Sequence, residues 1–341
     1  MQHVLDVRDL AVSFFTYAGE VQAVRGVSWY LDSHETIAIV GESGCGKSVT
    51  IQTVMGLLQS PPGRVKAGSV LFDGREMLGL PARELRQMQG NRMSMIFQDP
   101  LSYLNPTMRV GEQIAESYIL HNHVSRAEAR QKVLDMMRLI SFPEPERNMY
   151  VYPHQLSGGQ RQRIMVAMAL ICGPEVLFAD EPTTALDVTI QAQIIELMNE
   201  LKEKVHTSIV LITHDLGVVA NMAQRIYVMY AGQIVERGSA RDIFYRPRHP
   251  YTWGLLASVP RLDQKQRRNF TFIPGTPPDL LSPPKGCAFA ARCPYAMAAC
   301  ASFDPEEAAF EGDGHYARCF LYHKGAEAML QKAQKERGIE A

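Results

Sequence analysis

GESGCGKS, Gly41 to Ser48, follows the apolar run TIAIV (Thr36 to Val40) without a break and opens a helix-like pattern that continues through Leu58. The stretch matches G-x-x-x-x-G-K-[ST] in the setting that gives the match meaning: strand, glycine-rich turn, helix. Gly41, Gly44 and Gly46 let successive backbone N–H groups turn inward toward phosphate oxygens, and the helix N-terminus adds its partial positive charge. Glu42, Ser43, Cys45 and Val49 complete the cradle. Lys47 is placed to reach the β and γ phosphates and the Ser48 hydroxyl to ligate Mg²⁺. The expected ligand is therefore a nucleoside triphosphate with magnesium, and the expected fold is α/β.

Working outward, EVLFAD supplies four apolar residues, Val176 to Ala179, ending on Asp180 and followed by Glu181. An apolar run of that length is a buried strand, and an acid at its end can hold magnesium through water. Glu181, one residue further, has the position of a general base: a carboxylate can take a proton from the attacking water, which a glutamine cannot.

Between these motifs stands LSGGQRQRIMVAMAL, Leu156 to Leu170. Ser157 can cap a helix whose free N–H groups face outward, and Gly158 and Gly159 allow close approach to a phosphate. Here the chain resembles the nucleotide-binding subunits of ABC transporters, whose LSGGQ signature it carries unaltered in Leu156, Ser157, Gly158, Gly159 and Gln160. The resemblance implies that this signature binds the γ-phosphate held by the phosphate loop of an opposite subunit, so that two complete ATP sites form only in a head-to-tail dimer. It also implies that Gln98 in MIFQDP contacts magnesium and the attacking water, that Leu186 and Asp187 form the D-loop, and that His214 in LITHD is the switch histidine. His214 follows the apolar run Ile209 to Ile212, so it sits at a strand end, able to bond a γ-phosphate oxygen. Tyr17 is the candidate for the aromatic that stacks on adenine, with Phe14 and Phe15 as competitors.

The implied architecture is a RecA-like P-loop core over residues 1–245 with an inserted helical subdomain at about 100–158, followed by a small loop-rich cysteine module in 246–341. Helical spacing in VGEQIAESYIL and RAEARQKVLDMMRLI supports the insertion. Five prolines between Pro274 and Pro284 read as a linker, and the last residues, HKGAEAMLQKAQKERGIEA, read as a frayed charged helix. FQDPLSYLNPTMRVGEQI, YPHQLSGGQRQR, HPYTWGLL and IPGTPPDL together resemble the D-type ATPase subunits of the dipeptide, oligopeptide and nickel branch of ABC importers.

Composition narrows the rest. The 341 residues carry 35 basic and 36 acidic side chains, a formal charge of −1, which gives no reason to expect a nucleic-acid backbone or an anionic membrane as the main partner. The longest apolar run, Ile164 to Cys172, is about half of the ~20 residues a membrane span needs, and the first residues show no export signal. The expectation is a peripheral ATPase on the cytoplasmic face of the cell membrane. The resemblance implies two membrane permease subunits, a second ATPase of the F type in a heterodimer, and an extracytoplasmic solute-binding protein that sets the cargo, whether peptides or nickel chelates. The coupling surface would run from Gln98 through Tyr103 to Gly111. The alternative is a non-transport ABC ATPase acting on nucleic acid or the ribosome; those carry paired cassettes, coiled coils or basic surfaces, and none is visible.

Four of the six cysteines, Cys287, Cys293, Cys300 and Cys319, cluster as C-x5-C-x6-C-x18-C. Disulfides are disfavoured in a reducing compartment, and a small Pro- and Gly-rich module gains stability from a metal staple. The wide spacing lacks the C-x2-C pair usual in structural zinc sites. Some members of the resembled branch carry such a set with an iron–sulfur cluster, which implies a [4Fe–4S] cluster, with Zn²⁺ as the alternative. The site lies far in sequence from Lys47 and Glu181, so the expectation is a structural or sensory role and no part in hydrolysis.

Overall fold

The computed structural model describes residues 3–184, 186–258, 273–310 and 314–337. The chain divides into two compact units: Met1–Asp6, Tyr30–Ile37 and Leu71–Thr213 form one, and Val7–Trp29, Ala38–Val70 and His214–Ala341 the other. Along the sequence the strands are β1 (Leu5–Thr16), β2 (Gly19–Leu31), β3 (Thr36–Val40), β4 (Gly63–Phe72), β5 (Arg75–Glu76), β6 (Met93–Ile96), β7 (Val176–Asp180), β8 (Ser208–Thr213), β9 (Arg225–Tyr230), β10 (Gln233–Ser239), β11 (Glu307–Ala309) and β12 (Tyr316–Arg318).

The first unit is built on a parallel ladder. β6 pairs with β7 from Met93 opposite Val176 to Ile96 opposite Ala179, and β7 pairs with β8 from Val176 opposite Ser208 to Asp180 opposite Ile212. Every residue of these three strands is buried, as their near-continuous apolar runs require of a parallel sheet covered on both faces. Helices Gly158–Leu170 and Val188–Val205 precede and follow β7 as crossovers. The inserted segment contains helices Val110–Asn122 and Arg126–Leu139, the second opened by a capping box in which Ser125 and Glu128 satisfy each other's N–H groups. Val110, Ile114, Val133 and Met137 are fully buried in the first unit.

In the second unit β2, β1 and β4 lie side by side. β9 and β10 form an antiparallel hairpin. The C-terminal extension is woven into this unit: β12 pairs with β10, Glu236 opposite Ala317 and Arg237 opposite Tyr316, and β11 pairs with β12. The proline-rich stretch does not behave as the linker its composition implies. The Leu280 carbonyl accepts from the Gln22 N–H at 2.9 Å, and Arg25 reaches the Pro284 carbonyl at 3.5 Å. Proline removes a donor but keeps an acceptor, so an extended proline-rich chain can still be held at a strand edge through its carbonyls. The final segment is a helix, Glu327–Arg337, and it is packed rather than frayed: Ala333 is buried with Tyr295, Cys319 and Leu321, and Met329 and Leu330 pack against them.

Candidate functional site

β3 runs into the phosphate loop, which lies in the second unit and ends in helix Lys47–Val54. Gly46 is the N-cap with φ +104°, a conformation that L side chains rarely adopt, and a Cβ there would meet the Ala23 carbonyl oxygen at 2.4 Å. A glycine is thus required twice over at this position. Lys47 is 5% exposed, and its Nζ donates to the carbonyls of Gly41 at 2.8 Å and Glu42 at 2.9 Å. Ser48 lies in the first turn of the helix, and Thr50 Oγ1 donates to the Gly46 carbonyl at 2.9 Å. The Glu42 N–H donates to the Tyr251 hydroxyl at 2.8 Å. Ser43, Gly44 and Cys45 complete the turn, and Val49 follows in the helix.

Tyr17 sits at the turn between β1 and β2 and is fully exposed. The Phe15 ring, by contrast, is flanked by cations, Arg64 at 5.3 Å and Lys66 at 5.2 Å from its centroid. Phe14 is half-buried. Of the three aromatic candidates, Tyr17 presents the freely accessible face.

In the first unit, buried Asp180 ends β7 and Glu181 begins the turn beyond it. Glu181 has φ +46°, the left-handed region that few non-glycine residues occupy and that recurs at functional sites. Its N–H donates to the Ile212 carbonyl at 2.8 Å, which ties the turn to β8. Its Oε2 accepts from Gln98 Nε2 at 3.0 Å and from Thr184 Oγ1 at 2.8 Å. The fold therefore brings together two residues singled out in the sequence, Gln98 and Glu181, from segments 83 positions apart. Thr184 was not singled out; its signal was available in the E-x-x-T spacing of a turn that the Thr184 N–H closes on the Glu181 carbonyl at 3.2 Å. His214 follows β8 directly and is exposed, and Asp215 caps helix Leu216–Met222.

The signature segment opens helix Gly158–Leu170, with Leu156 buried before it. Ser157 is the N-cap: its Oγ accepts from the Gln160 N–H at 3.4 Å, and Gln160 Oε1 accepts from the Ser157 N–H at 3.0 Å. Ser157 and Gly158 are exposed, so this helix N-terminus faces outward from its unit. Behind it, a Cβ on Gly159 would meet Ile190 Cγ2 at 2.7 Å, and one on Gly158 would lie 3.7 Å from Leu186. Asp187 caps helix Val188–Val205, its Oδ1 accepting from the Ile190 N–H at 3.0 Å. Signature and D-loop segments thus back each other within one unit.

The four C-terminal cysteines line a single small cavity of about 10 Å³, together with His249, Phe289 and Tyr295 among others. Burial pushes the Cys287 thiol up to about 11 and Cys293 to about 12, and raises Cys319 further. Burial also drives His249 down to about 3, so its ring is neutral, and its Nδ1 accepts from the Tyr251 N–H at 3.1 Å. Among the described residues, no group of three or more Cys, His, Asp or Glu is placed to hold a metal ion. The four thiols line one cavity with room for about one water. Arg292, adjacent to Cys293, bonds Glu42 of the phosphate loop at 2.7 and 3.0 Å.

Comparison with known proteins places this geometry. Residues 24–184 match the family model described as ABC transporter, and residues 235–300 match the one described as oligopeptide/dipeptide transporter, C-terminal region. The chain is 54% identical over 339 residues to the oligopeptide transport ATP-binding protein OppD of Bacillus subtilis, covering 97% of this chain and 94% of that protein. It is 54% identical over 337 residues to the dipeptide transport ATP-binding protein DppD of the same organism, covering 98% and 100%. Among solved structures, the ATP-binding cassette MJ0796, in a dimeric post-hydrolysis state bound to ADP and Pi, matches with TM-score 0.63 and 26% identity over 70% of this chain and 99% of that one.

Proposed function

The chain belongs to the ABC transporter family, in the branch of the oligopeptide and dipeptide transport ATP-binding proteins, and on that premise we propose that it is the ATP-hydrolysing subunit that drives peptide import through a membrane ABC importer. The observation that carries this reading is the union, in one chain, of an intact phosphate loop and Glu181 turn with an oligopeptide-type C-terminal region woven into the ATPase core. Peptides are favoured over nickel chelates because the relatives at 54% identity are named for peptides.

In the proposed chemistry the phosphate loop, Gly41 to Val49, wraps the triphosphate with its backbone N–H groups. Lys47 trades its two loop carbonyls for β- and γ-phosphate oxygens. Tyr17 stacks on the adenine. Bound magnesium would neutralise charge across the β and γ oxygens; the hydroxyl of Ser48, the carboxylate of buried Asp180 and the amide of Gln98 are oxygen donors of the kind that ion takes. Glu181 accepts a proton from the attacking water, oriented by Gln98, and His214 bonds the γ-phosphate. Leu156 to Gln160 close the site of a second subunit, and Leu186 and Asp187 follow them at the D-loop.

Among the described residues no helix is long and apolar enough to cross a membrane, so coupling requires separate permease subunits. We assign their docking surface to the segment from Gln98 to Gly111, where exposed Tyr103 stacks on Phe97 with centroids 4.0 Å apart and Gln113 pins the Asn105 and Met108 carbonyls at 3.0 Å. Two permeases, an F-type second ATPase and a solute-binding protein outside the membrane complete the assembly, with this chain on the cytoplasmic face; residues 1–245 serve as the nucleotide-binding domain and 246–341 as its extension. Affinity purification from detergent-solubilised membranes, with mass spectrometry of what comes with the chain, tests the assignment. Two polytopic membrane proteins and a second ATPase are expected, with ATP turnover that rises when peptide-loaded binding protein is added. Recovery on ribosomes or nucleic acid without membrane proteins would replace the transport reading.

For the cysteine cavity we retain a [4Fe–4S] cluster over zinc. Support comes from the donor set: four thiols on one cavity, those of Cys300 and Cys319 buried and those of Cys287 and Cys293 partly buried, soft ligands of the kind such clusters take. Cys287, Cys293, Cys300 and Cys319 would hold the cluster, whose binding would contribute to the stability of the fold around them. Anaerobically purified protein is expected to be brown, with about four iron and four sulfide per chain, and Cys293→Ser to bleach it. Colourless anaerobic protein with one zinc, or with no metal, removes the cluster.

A further inference from the structure

The phosphate loop is held by a residue from the far end of the chain. Arg292 is only 6% exposed at its side chain and engages through all three of its guanidinium nitrogens: Nε donates to the Pro274 carbonyl at 2.9 Å, one terminal nitrogen to Glu42 Oε2 at 2.7 Å and the Tyr230 hydroxyl at 3.2 Å, the other to Glu42 Oε1 at 3.0 Å and the Ile273 carbonyl at 3.3 Å. The Glu42 pairing is bidentate and charge-assisted, the strongest form of side-chain hydrogen bond. The Glu42 main chain is fixed as well, its N–H by Tyr251 and its carbonyl by Lys47. The second residue of the phosphate loop is therefore anchored at carboxylate, amide and carbonyl, and the carboxylate anchor comes from the extension.

We propose that Arg292 is a positioning residue for nucleotide binding: it acts through Glu42 to hold the entrance of the phosphate loop in the conformation that receives the triphosphate. A second observation, independent of that ion pair, points the same way. A cavity of about 260 Å³ beside the loop is walled on one side by Glu42, Gly44 and Cys45 and on the other by Pro277, Pro278 and Leu280 of the extension. The extension therefore flanks the loop twice, and a cradle built from backbone N–H groups works only while those groups stay aligned. The short turn Ala290–Arg292 that carries the anchor ends on Cys293, so whatever orders the cysteine cavity also orders the arm that holds the loop. If Arg292 only fastened the extension to the core, its loss would lower the melting temperature and leave ATP affinity alone.

The inference rests on the reading of Gly41 to Ser48 as the ATP site, and the test separates the two. Wild-type complex, Arg292→Ala, Arg292→Lys, Glu42→Ala and the Arg292→Ala/Glu42→Ala double variant are titrated with a fluorescent ATP analogue, with KM, kcat and melting temperature measured alongside. Loss of a charge-assisted bidentate bond is expected to raise the ATP Kd and KM about tenfold in either alanine variant. In the Arg292 variants the change in kcat should stay within about twofold, since no group at the reacting atoms is altered. The double variant should be no weaker than either single one, because both remove the same contact, and lysine at position 292 should recover part of the affinity. Failure of the wild type to bind ATP would sink the site assignment. A folded Arg292→Ala protein with wild-type Kd, or additive losses in the double variant, would overturn the positioning role. Should Arg292→Ala fail to fold, Glu42→Ala carries the test alone, because it leaves the arginine bonded to Ile273, Pro274 and Tyr230.

Discussion

Glu181→Gln is expected to leave ATP binding intact and to slow hydrolysis by about 10²-fold or more, the usual contribution of a general base. The site makes this substitution unusually clean. Glu181 Oε2 is an acceptor for Gln98 and Thr184, and a glutamine carbonyl oxygen can accept the same two bonds. The left-handed backbone at φ +46° and the N–H bond to Ile212 belong to the main chain and survive the change. What the amide loses is the ability to take a proton. A variant that folds normally, binds ATP with a Kd within about twofold of wild type and turns over at about 1% of the rate or below in the assembled complex isolates that loss. It should also accumulate an ATP-bound dimer. Turnover within a few-fold of wild type would remove Glu181 from the base role and leave it as a support for Gln98.

Much of this site was legible because its signals are local. The phosphate loop, β7 with Asp180 and Glu181, and β8 with His214 each declare themselves within about ten residues, since a strand buried on both faces must be apolar throughout and a phosphate turn must be glycine-rich. Ser157 and Gln160 were readable in the same way, as a cap and its partner three residues on. What local signals do not carry is the pairing of distant segments. Arg292 lies 250 positions from Glu42, and nothing in its neighbourhood marks it except the cysteines beside it. Pro274 to Pro284 look like a linker because proline density is a property of the stretch alone, whereas the Leu280 to Gln22 hydrogen bond is a property of the pair. The terminal helix looked frayed by its charge, yet Met329, Leu330 and Ala333 occupy one face, and that face closes the module. The four cysteines line one cavity of about 10 Å³, a size that spacing alone does not carry.

Ser157→Arg is expected to abolish hydrolysis in the assembled transporter, by about 10²-fold or more, while leaving ATP binding to the isolated chain unchanged. The reasoning starts from where the signature points. Ser157 and Gly158 are exposed at a helix N-terminus, whose unpaired N–H groups and partial positive charge suit an anion. Their own unit backs them, through Leu186 and Ile190 behind Gly158 and Gly159, and in the proposed composite site their outward side meets the nucleotide of a second subunit. An arginine at 157 forfeits the cap on the Gln160 N–H and, in the proposed composite site, places a long side chain where the second subunit approaches. Loss of donors aimed at a transferring phosphoryl group costs about 10² to 10³ in rate. Because the damage falls on the opposite site, mixing experiments add a sharper readout: a complex with one altered signature should lose the site completed by that signature and keep the other phosphate loop's ability to bind. If a chain verified as monomeric hydrolyses ATP as fast as the intact transporter, or if Ser157→Arg lowers ATP affinity of the isolated chain as much as it lowers turnover, the signature acts within its own subunit and the composite site is wrong.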